Sequence, residues 1–453
     1  MKENSSLAVQ NGNFGMLKHL ARLARVGQTE ETMPALNITS EIGRLKRVIV
    51  HSPGPEVEAM TPKEASIDLY NDILPLSVVR REHDQLKSFL SRVSEVYELK
   101  NLLAQCLASP EARAGFLTSL QNLCPIRSLM EELSSMEPSE LARSIIEGIP
   151  ASPSTLAGVF SKRSFAMRPL PNAYFMRDSA AVFRNMVVAS PTAFDVRLLE
   201  AVVTRFIFTH HPEFMAKGLI IDGPQERNRF ITIEGGDIVV ISPNLLAVGV
   251  SERTTPEGLE LFAQRAGKAF GENMTILAVS LPKDRATIHL DMTFTLIDRN
   301  LALVYEPVIT GPNRAEVVRI DVDPAGRTKF SSTKGLIQAL SSLGLDFDTV
   351  SCGDGDELYQ DREQWWSGAN SFAFAPGKIL MYSCNTRTLE ALDRKGFAIR
   401  SSDDFLAKPN GQSKAADPFD DGRLVVTFEG IELARGGGGA RCMTLPVERE
   451  NLS

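Results

Sequence analysis

A hairpin pattern that recurs four times constrains the fold of this chain more than any other feature of its sequence. In each copy a polar residue opens an apolar run, a short turn containing Asn or Gly follows, and a second apolar run returns. The four copies are Asp178 to Ser190 (turn Arg184-Asn185), Asp237 to Ser251 (turn Pro243-Asn244), Asp291 to Tyr305 (turn Arg299-Asn300) and Asn370 to Ser383 (turn Pro376-Gly377). The pattern predicts repeated structural units whose opening polar residues occupy equivalent places.

Helices are predicted to follow three of these hairpins. They begin near Asp195, Thr255 and Thr386, where Asp or Thr can cap the free N–H groups. The segment Leu45 to His51 could open a fifth unit. Units of this kind cannot bury their faces alone, so we expect them to pack around an axis, as propeller blades do. The residues that open the hairpins would then converge near one central cavity.

A helical block interrupts this α/β pattern. From about Val79 to Gly148 the apolar residues recur at helical spacing, as at Leu86, Phe89 and Leu90, and little of the stretch alternates like a strand. We therefore predict an N-terminal extension at residues 1–40, an α/β catalytic domain at 41–78 and 160–453, and a helical insertion at 79–159.

Composition limits the classes of function. No apolar run is long enough for a membrane span. The net charge of -7 is spread along the chain, which leaves no basic surface of the kind that nucleic-acid binding usually requires. Five cysteines at irregular spacings, with no CxxC pair, argue against a disulfide framework and a structural zinc site. We predict a cytoplasmic protein that binds a small molecule and neither a membrane nor a nucleic acid.

Cys442 follows four consecutive glycines, in Ala434-Arg435-Gly436-Gly437-Gly438-Gly439-Ala440-Arg441-Cys442-Met443. Such glycines allow positive φ angles and a close approach of the backbone to a ligand. A phosphate-binding loop would need a following Lys-Ser/Thr, which the sequence lacks. On these residues alone the thiol could equally be reactive or buried and inert.

Candidate acid–base groups lie near the hairpin openings. Alternation in Thr287-Ile288-His289-Leu290-Asp291 predicts a strand that carries His289 and Asp291 on one face. A histidine there could shuttle protons, or it could be a hydrogen-bonded core residue. A metal-binding histidine pair has little support, because His210-His211 lies in a helix-like stretch without a carboxylate pattern.

Three further charged segments are candidates for the site, and each of them could also have a purely structural role. Glu234-Gly235-Gly236-Asp237 places two carboxylates around a bend and could be a plain turn. Asp178 opens a strand, where a charge is usually solvated, and Arg253 could form a surface ion pair of little value. Their shared position beside the openings and exits of the hairpins favours a functional role for the set.

Taken together and in order, these segments resemble a known family. PNxxFxRD, EGGD, SERT, HLDM and a glycine-rich RCM are similar to the motifs of arginine deiminases, which belong to the guanidino-group-modifying (pentein) superfamily. The likeness runs from about Glu41 to Pro446 and includes Asp72-Ile73-Leu74, Glu82-His83-Asp84 and the segment Arg362 to Trp365. It implies an α/β fold, a five-bladed ββαβ propeller with an inserted α-helical domain.

The resemblance also implies the hydrolysis of L-arginine to L-citrulline and ammonia, with no metal or other cofactor. Cys442 would attack the guanidinium carbon and leave a covalent amidino adduct for water to hydrolyse. His289 would protonate the leaving group and later activate the water, with Glu234 holding the imidazole. Asp178 and Asp291 would bind the guanidinium nitrogens. The family places contacts to the amino-acid end of the substrate at Asn172, Arg197, Asp237 and Arg253.

Two other functions remain open on the sequence. The first is a hydrolase or amidinotransferase that acts on another guanidino compound. The second, from a different class, is a catalytically silent propeller used for binding, and the complete set of candidate catalytic residues argues against it. A homo-oligomer is compatible with each of these functions.

Overall fold

The computed structural model describes residues 36–123, 127–151, 165–406, 417–420 and 422–452. The predicted N-terminal extension at 1–40 therefore lies outside the described residues, apart from residues 36–40. No helix in the described ranges is long and apolar enough to cross a membrane.

Five sheets share one core arrangement, in which an antiparallel pair of strands is extended by a third strand parallel to the second. In four of them the antiparallel pair is a predicted hairpin, with its turn at the predicted residues. Their three-strand cores are Ala180–Phe183, Met186–Ala189 and Leu219–Asp222; Ile238–Ser242, Leu245–Val250 and Met274–Ser280; Phe294–Asp298, Leu301–Val304 and Asp348–Ser351; and Phe372–Ala375, Lys378–Tyr382 and Leu424–Phe428. The repeat in the sequence is thus a repeat of strand pairing.

The fifth sheet has the same core and joins two distant parts of the chain. Leu445–Arg449 is antiparallel to Leu45–Val50, which is parallel to Glu95–Glu98. Leu45–Val50 thus belongs to a fifth sheet with the same core, as predicted, but it takes the place of the second strand, and Leu445–Arg449 takes that of the first.

Two of the sheets carry additional strands, and a sixth sheet is a short ribbon. Val317–Val322 and Thr328–Thr333 extend the second hairpin's sheet, and Ala398–Ser401 extends the fourth. The ribbon consists of Ile149–Pro150 and Phe165–Met167.

The helical block differs from the prediction at its start. Glu95–Glu98 is a strand of the fifth sheet, and the helix Leu76–Val93 is the crossover that a parallel pair requires. Only after this strand do four helices follow one another, at Leu99–Leu107, Pro110–Leu123, Arg127–Ser135 and Pro138–Glu147. A four-residue strand with no fully buried side chain is too short to produce a visible alternation.

The helices after the hairpins begin where the sequence predicts. Pro256–Phe270 follows Thr255, whose hydroxyl accepts a hydrogen bond from the Gly258 N–H at 3.1 Å. Asp195 opens a 3₁₀ turn ahead of Leu198–His210, and Thr386 is the first residue of Thr386–Arg394, but neither of these starts has a side-chain cap. The remaining helices are Pro55–Glu58, Met176–Ser179, Gly223–Glu226, Glu306–Ile309, Leu336–Ser342, Glu357–Trp365, Ser402–Leu406 and Ile431–Arg435.

One apolar cluster joins the four consecutive helices to the sheets. Leu103, Phe116 and Leu141 from these helices lie in the same buried cluster as Phe183 of the first hairpin and Phe206 of the helix after it. Burial of a large apolar side chain stabilises a fold by roughly 1.5–3 kcal/mol, so this contact anchors the helices firmly.

Short helical turns precede the first strand of three hairpins. They are Met176–Ser179, Gly235–Asp237 and Leu290–Met292. The predicted strand over Thr287–Asp291 is therefore wrong, because His289 precedes a 3₁₀ turn. Leu290 is buried like His289 and Asp291, so the apparent alternation did not reflect an inner and an outer face.

Candidate active site

A cavity of about 30 Å³ lies at the openings of the hairpins and against the glycine loop. Its lining includes six of the predicted site residues: Asn172, Asp178, Arg197, Arg253, His289 and Cys442.

The imidazole of His289 is held by Glu234. Glu234 Oε2 lies 2.9 Å from His289 Nε2, and its Oε1 accepts the Ala193 N–H at 2.9 Å. Arg253 Nη1 lies 3.7 Å from the same Oε2. A β-carbon on Gly236 would stand only 2.5 Å from His289 Nδ1, so this position needs glycine for the ring to sit against the backbone.

The charges around His289 favour its protonated form. Burial alone would lower its pKa, but Asp178 and the hydrogen bond to Glu234 outweigh burial and raise the pKa to about 9. Nδ1 has no hydrogen-bond partner in the structure and faces Asp178 Oδ1 at 3.6 Å. His289 therefore carries one N–H that is free to donate a proton at neutral pH.

Asp178 uses one oxygen to hold Arg197. Arg197 Nη1 donates to Asp178 Oδ2, and the same guanidinium donates to Glu200 Oε2 from Nε at 3.0 Å and from Nη2 at 2.7 Å. Nη2 also donates to the Asn172 carbonyl oxygen at 3.2 Å. Asp178 Oδ1 has no hydrogen-bond partner, so it is available to a ligand.

Asp291 has a matching arrangement on the side of the thiol. Its Oδ2 accepts from Arg441 Nη1 at 2.6 Å, and Arg441 is itself bound by Glu41 through Nε at 3.2 Å and Nη2 at 2.9 Å. Cys442 Sγ lies 3.9 Å from Asp291 Oδ2. Asp291 Oδ1 has no hydrogen-bond partner. Two free carboxylate oxygens thus accompany the histidine and the thiol.

The amide of Asn370 connects the thiol segment to Asp291. Its Oδ1 accepts the N–H groups of Arg441 at 3.0 Å and Cys442 at 3.2 Å, and its Nδ2 donates to the Asp291 carbonyl at 3.0 Å. All four residues are buried. Asn370 opens the fourth hairpin, as the aspartates open the other three.

The thiol of Cys442 is protonated in this environment. Burial raises its pKa well above the ordinary value, and the charges of Asp291 and Asp178 raise it further. A cation bound between the two carboxylates would offset their charge and favour the thiolate. Of the four glycines before Cys442, only Gly437 adopts a positive φ, at 96°.

Three predicted site residues are not among the described residues that line the cavity: Glu234, Asp237 and Asp291. Asp237 Oδ1 accepts the Leu290 N–H at 2.9 Å and Oδ2 accepts the Ser251 hydroxyl at 2.7 Å. Burial raises the Asp237 pKa to about 6. The resemblance implies that Asp237 contacts the amino-acid end of the substrate. In the structure Oδ1 holds the turn that carries Asp291, and Oδ2 holds Ser251 at the exit of the second hairpin.

Asp178, Glu234 and His289 could hold a metal ion by spacing alone, since their ligand atoms lie within 4.8 Å of one another. A histidine can bind a metal ion only when its imidazole is neutral. With the pKa of His289 at about 9, a metal would have to displace its proton.

Comparisons with known proteins agree on one family. The sequence profile of arginine deiminase matches residues 68–449. The chain is 30% identical over 436 residues to the arginine deiminase of Oenococcus oeni, covering 92% of this chain and 98% of that protein. It is 32% identical over 441 residues to that of Clostridium perfringens, covering 92% and 99%. The chain belongs to the arginine deiminase family.

A solved structure extends this result to the fold. An amidinotransferase from the saxitoxin biosynthetic pathway of Microseira wollei superposes with a TM-score of 0.50 at 16% identity, covering 92% of this chain and 98% of that one. At this identity the likeness concerns the mixed α/β pentein fold alone.

Sequence reasoning about this family member missed the residues that hold its charged groups. Glu200, Glu41 and Arg441 fix the two aspartates, and Asn370 fixes the thiol segment. The position of Asn370 at a hairpin opening was a usable signal, and so was the spacing of Arg197 and Glu200 at i and i+3. The pairing of Arg441 with Glu41, 400 residues apart, left no local signal.

Proposed function

We propose that this chain hydrolyses L-arginine to L-citrulline and ammonia through a covalent amidino adduct of Cys442. The observation that carries the proposal is the pair of free carboxylate oxygens, Asp178 Oδ1 and Asp291 Oδ1, one beside His289 and the other on the residue that adjoins Cys442. A guanidinium is planar, permanently charged and a donor on several edges, so two carboxylates can orient it.

Binding and the first bond formation follow from the charges. The guanidinium donates to both free oxygens and offsets the negative charge that keeps the thiol protonated, so the Cys442 thiol releases its proton to solvent water. The thiolate then adds to the guanidinium carbon. His289 transfers its Nδ1 proton to one terminal nitrogen, which leaves as ammonia, and the C–S bond remains.

The second half of the reaction uses the same groups in reverse. The neutral imidazole of His289, still held by Glu234, takes a proton from water while the water oxygen adds to the amidino carbon. The C–S bond breaks, the remaining water proton passes from the new hydroxyl to the departing sulfur so that the thiol is restored, and citrulline leaves with the oxygen from water. The released ammonia takes up the proton that Cys442 gave to solvent and leaves as ammonium. General acid–base help of this kind contributes roughly 10²- to 10⁴-fold.

We further infer that the five three-strand cores close into a five-bladed propeller. Their common pairing pattern and the fifth core, built from strands at both ends of the described chain, support this closure. We propose the domain division at 41–78 and 160–453 with the helical insertion at 79–159, modified so that the insertion starts after Glu98. Four free cysteines, Cys106, Cys352, Cys384 and Cys442, support a reducing cytoplasm.

Purified protein incubated with L-arginine should release citrulline and ammonia in equal amounts. Cys442→Ala should abolish turnover, whereas Cys384→Ser, which changes a half-buried thiol that does not line the cavity, should keep it. Undiminished turnover by the Cys442→Ala variant would exclude the nucleophile. Turnover of agmatine without turnover of L-arginine would keep the mechanism and replace the substrate.

A further inference from the structure

Arg285 lies against the glycine loop that walls the cavity. It opens a 3₁₀ turn four residues before His289. A β-carbon on Gly437, which lines the cavity, would stand 3.2 Å from Arg285 Nη2 and 3.7 Å from its Cζ. The guanidinium therefore takes the space that a side chain at Gly437 would fill, beside the wall of the cavity.

The guanidinium of Arg285 has no counter-ion among the residues that the structure describes. Within the part of the chain that the structure describes, no carboxylate lies within ion-pair distance of it, and its Nη1 is buried without a hydrogen-bond partner. Its contacts are one hydrogen bond from Nη2 to the Arg435 carbonyl at 2.6 Å and stacking on Trp365, with Cζ 4.9 Å from the ring centroid. A buried charged donor without a partner costs free energy, which an anionic ligand would recover.

Two other arginines near the cavity are neutralised by carboxylates of the protein. Arg197 faces Asp178 and Glu200, and Arg441 faces Asp291 and Glu41. Arg253 has a counter-ion in Glu234 at 3.7 Å, although its Nε is buried without a hydrogen-bond partner in the described structure. Arg197, which the sequence suggested for the amino-acid end of the substrate, also donates to two backbone carbonyls. Each of its three nitrogens already donates to the protein before any substrate arrives.

We propose that Arg285 binds the α-carboxylate of the substrate and thereby selects guanidino acids over guanidino compounds that lack a carboxylate. This inference rests on the proposed function, since it assigns the anionic end of the substrate whose cationic end meets Asp178 and Asp291. The free Nη1 supplies the donor, and a charge-assisted hydrogen bond to a carboxylate is the type of contact that guanidinium groups make best. Arg285 acts on binding and takes no part in bond breaking.

The test compares L-arginine with agmatine, which has the same guanidino group and no carboxylate. In Arg285→Met the KM for L-arginine should rise about 10- to 100-fold with little change in kcat, because one charge-assisted hydrogen bond is lost. Steady-state constants for agmatine should not change. Arg285→Lys should recover part of the affinity for L-arginine, and Arg387→Met should behave as wild type, since Arg387 is an exposed arginine paired with Glu390.

An equal rise of KM for both compounds would overturn the proposal, because it would mean that Arg285 supports the loop. An unchanged KM for L-arginine in Arg285→Met would overturn it as well. If the wild-type protein does not turn over L-arginine, the proposed function fails by itself. The role of Arg285 is then decided by calorimetric binding of both compounds to Cys442→Ala with and without Arg285→Met, where only the affinity for L-arginine should fall. Arg285→Gln, closer in shape, replaces Arg285→Met if the latter does not fold.

Discussion

Asp178 and Asp291 open two hairpins of the same topology and hold the same kind of partner in different surroundings. Each binds an arginine through Oδ2, and a second carboxylate holds that arginine from the other side: Glu200 for Arg197, and Glu41 for Arg441. Each keeps Oδ1 without a partner. We call each aspartate with its arginine and its second carboxylate a half-site: the histidine half-site contains Asp178, and the thiol half-site contains Asp291. The two half-sites are built alike, as equivalent places in a repeat should be.

Their difference lies in the reactive group that each accompanies. Asp178 Oδ1 faces His289 Nδ1, whereas Asp291 lies beside Cys442 Sγ. One carboxylate raises the pKa of the acid and the other is among the charges that raise the pKa of the thiol. The same repeated unit has therefore been adapted to a proton donor in one copy and to a nucleophile in the other.

Replacement of either aspartate by asparagine should have the largest effect. Asp178→Asn and Asp291→Asn should each lower kcat/KM for L-arginine by about 10²- to 10³-fold, because a preorganised charge next to the reacting group is removed. Steady-state citrulline assays measure this. Asp195→Asn, at a side chain 90% exposed on the turn after the first hairpin, is the matched control and should leave kcat/KM unchanged.

A loss confined to one of the two variants would contradict the view that both oxygens bind the guanidinium. The folded state of each variant must first be verified by its circular dichroism spectrum, since each change leaves an arginine with one carboxylate fewer.

Glu41 and Glu200, the carboxylates that hold Arg441 and Arg197, should differ in their effect on the free energy of unfolding. Burial opposes ionisation of Glu41, yet Arg441 and Arg177 lower its pKa to about 2, whereas burial of Glu200 dominates and raises its pKa to about 7. Glu41→Gln should therefore cost about 3–5 kcal/mol in the free energy of unfolding at neutral pH. Glu200→Gln should cost about 1 kcal/mol, because Glu200 is already partly protonated.

The pH dependence of unfolding checks the sign of each shift. The contribution of Glu41 is present above its ordinary pKa of 4.5 and lost as the pH falls toward 2. That of Glu200 is fully present below 4.5 and lost as the pH rises through about 7. Urea unfolding of both variants at pH 3, pH 5 and pH 7 measures them, and equal costs for the two variants at pH 7 would refute the asymmetry.

The difference between the half-sites also marks what the sequence could and could not predict. The hairpins were predictable because turns such as Arg184-Asn185 and Pro376-Gly377 stand at fixed distances from apolar runs, which is a local signal. The pairs that hold the aspartates were not, because Arg441 meets residues 150 and 400 positions away. The turn at Leu290–Met292 was mistaken for a strand because every side chain in it is buried.

The pKa of His289 should respond to one aspartate more than to the other. In Asp178→Asn it should fall from about 9 toward its ordinary 6.5, because Asp178 is the foremost charge that raises it. Asp291 also interacts with His289, which lowers the pKa of Asp291, but it is not among the main causes of the His289 shift, so Asp291→Asn should lower the pKa of His289 less. Titration of the imidazole by NMR in the Cys442→Ala background distinguishes the two. Since the imidazolium is the acid, residual kcat in Asp178→Asn should decline at lower pH than in wild type, and equal shifts in both variants would contradict this assignment.

The smallest effect on activity is expected at Asn370, whose amide belongs to the thiol half-site alone. Asn370→Ala removes the acceptor of the Arg441 and Cys442 N–H groups and the donor to the Asp291 carbonyl. We expect kcat to fall about tenfold with KM nearly unchanged. The nucleophile loses its fixed position, while the carboxylate oxygens that bind the guanidinium remain. Asn385→Ala is the control, since it removes an equally buried amide that donates to the Trp366 carbonyl away from the cavity lining. If Asn370→Ala instead raised KM and left kcat intact, Asn370 would act on substrate binding. Positioning of Cys442 by this amide would then not be needed for catalysis.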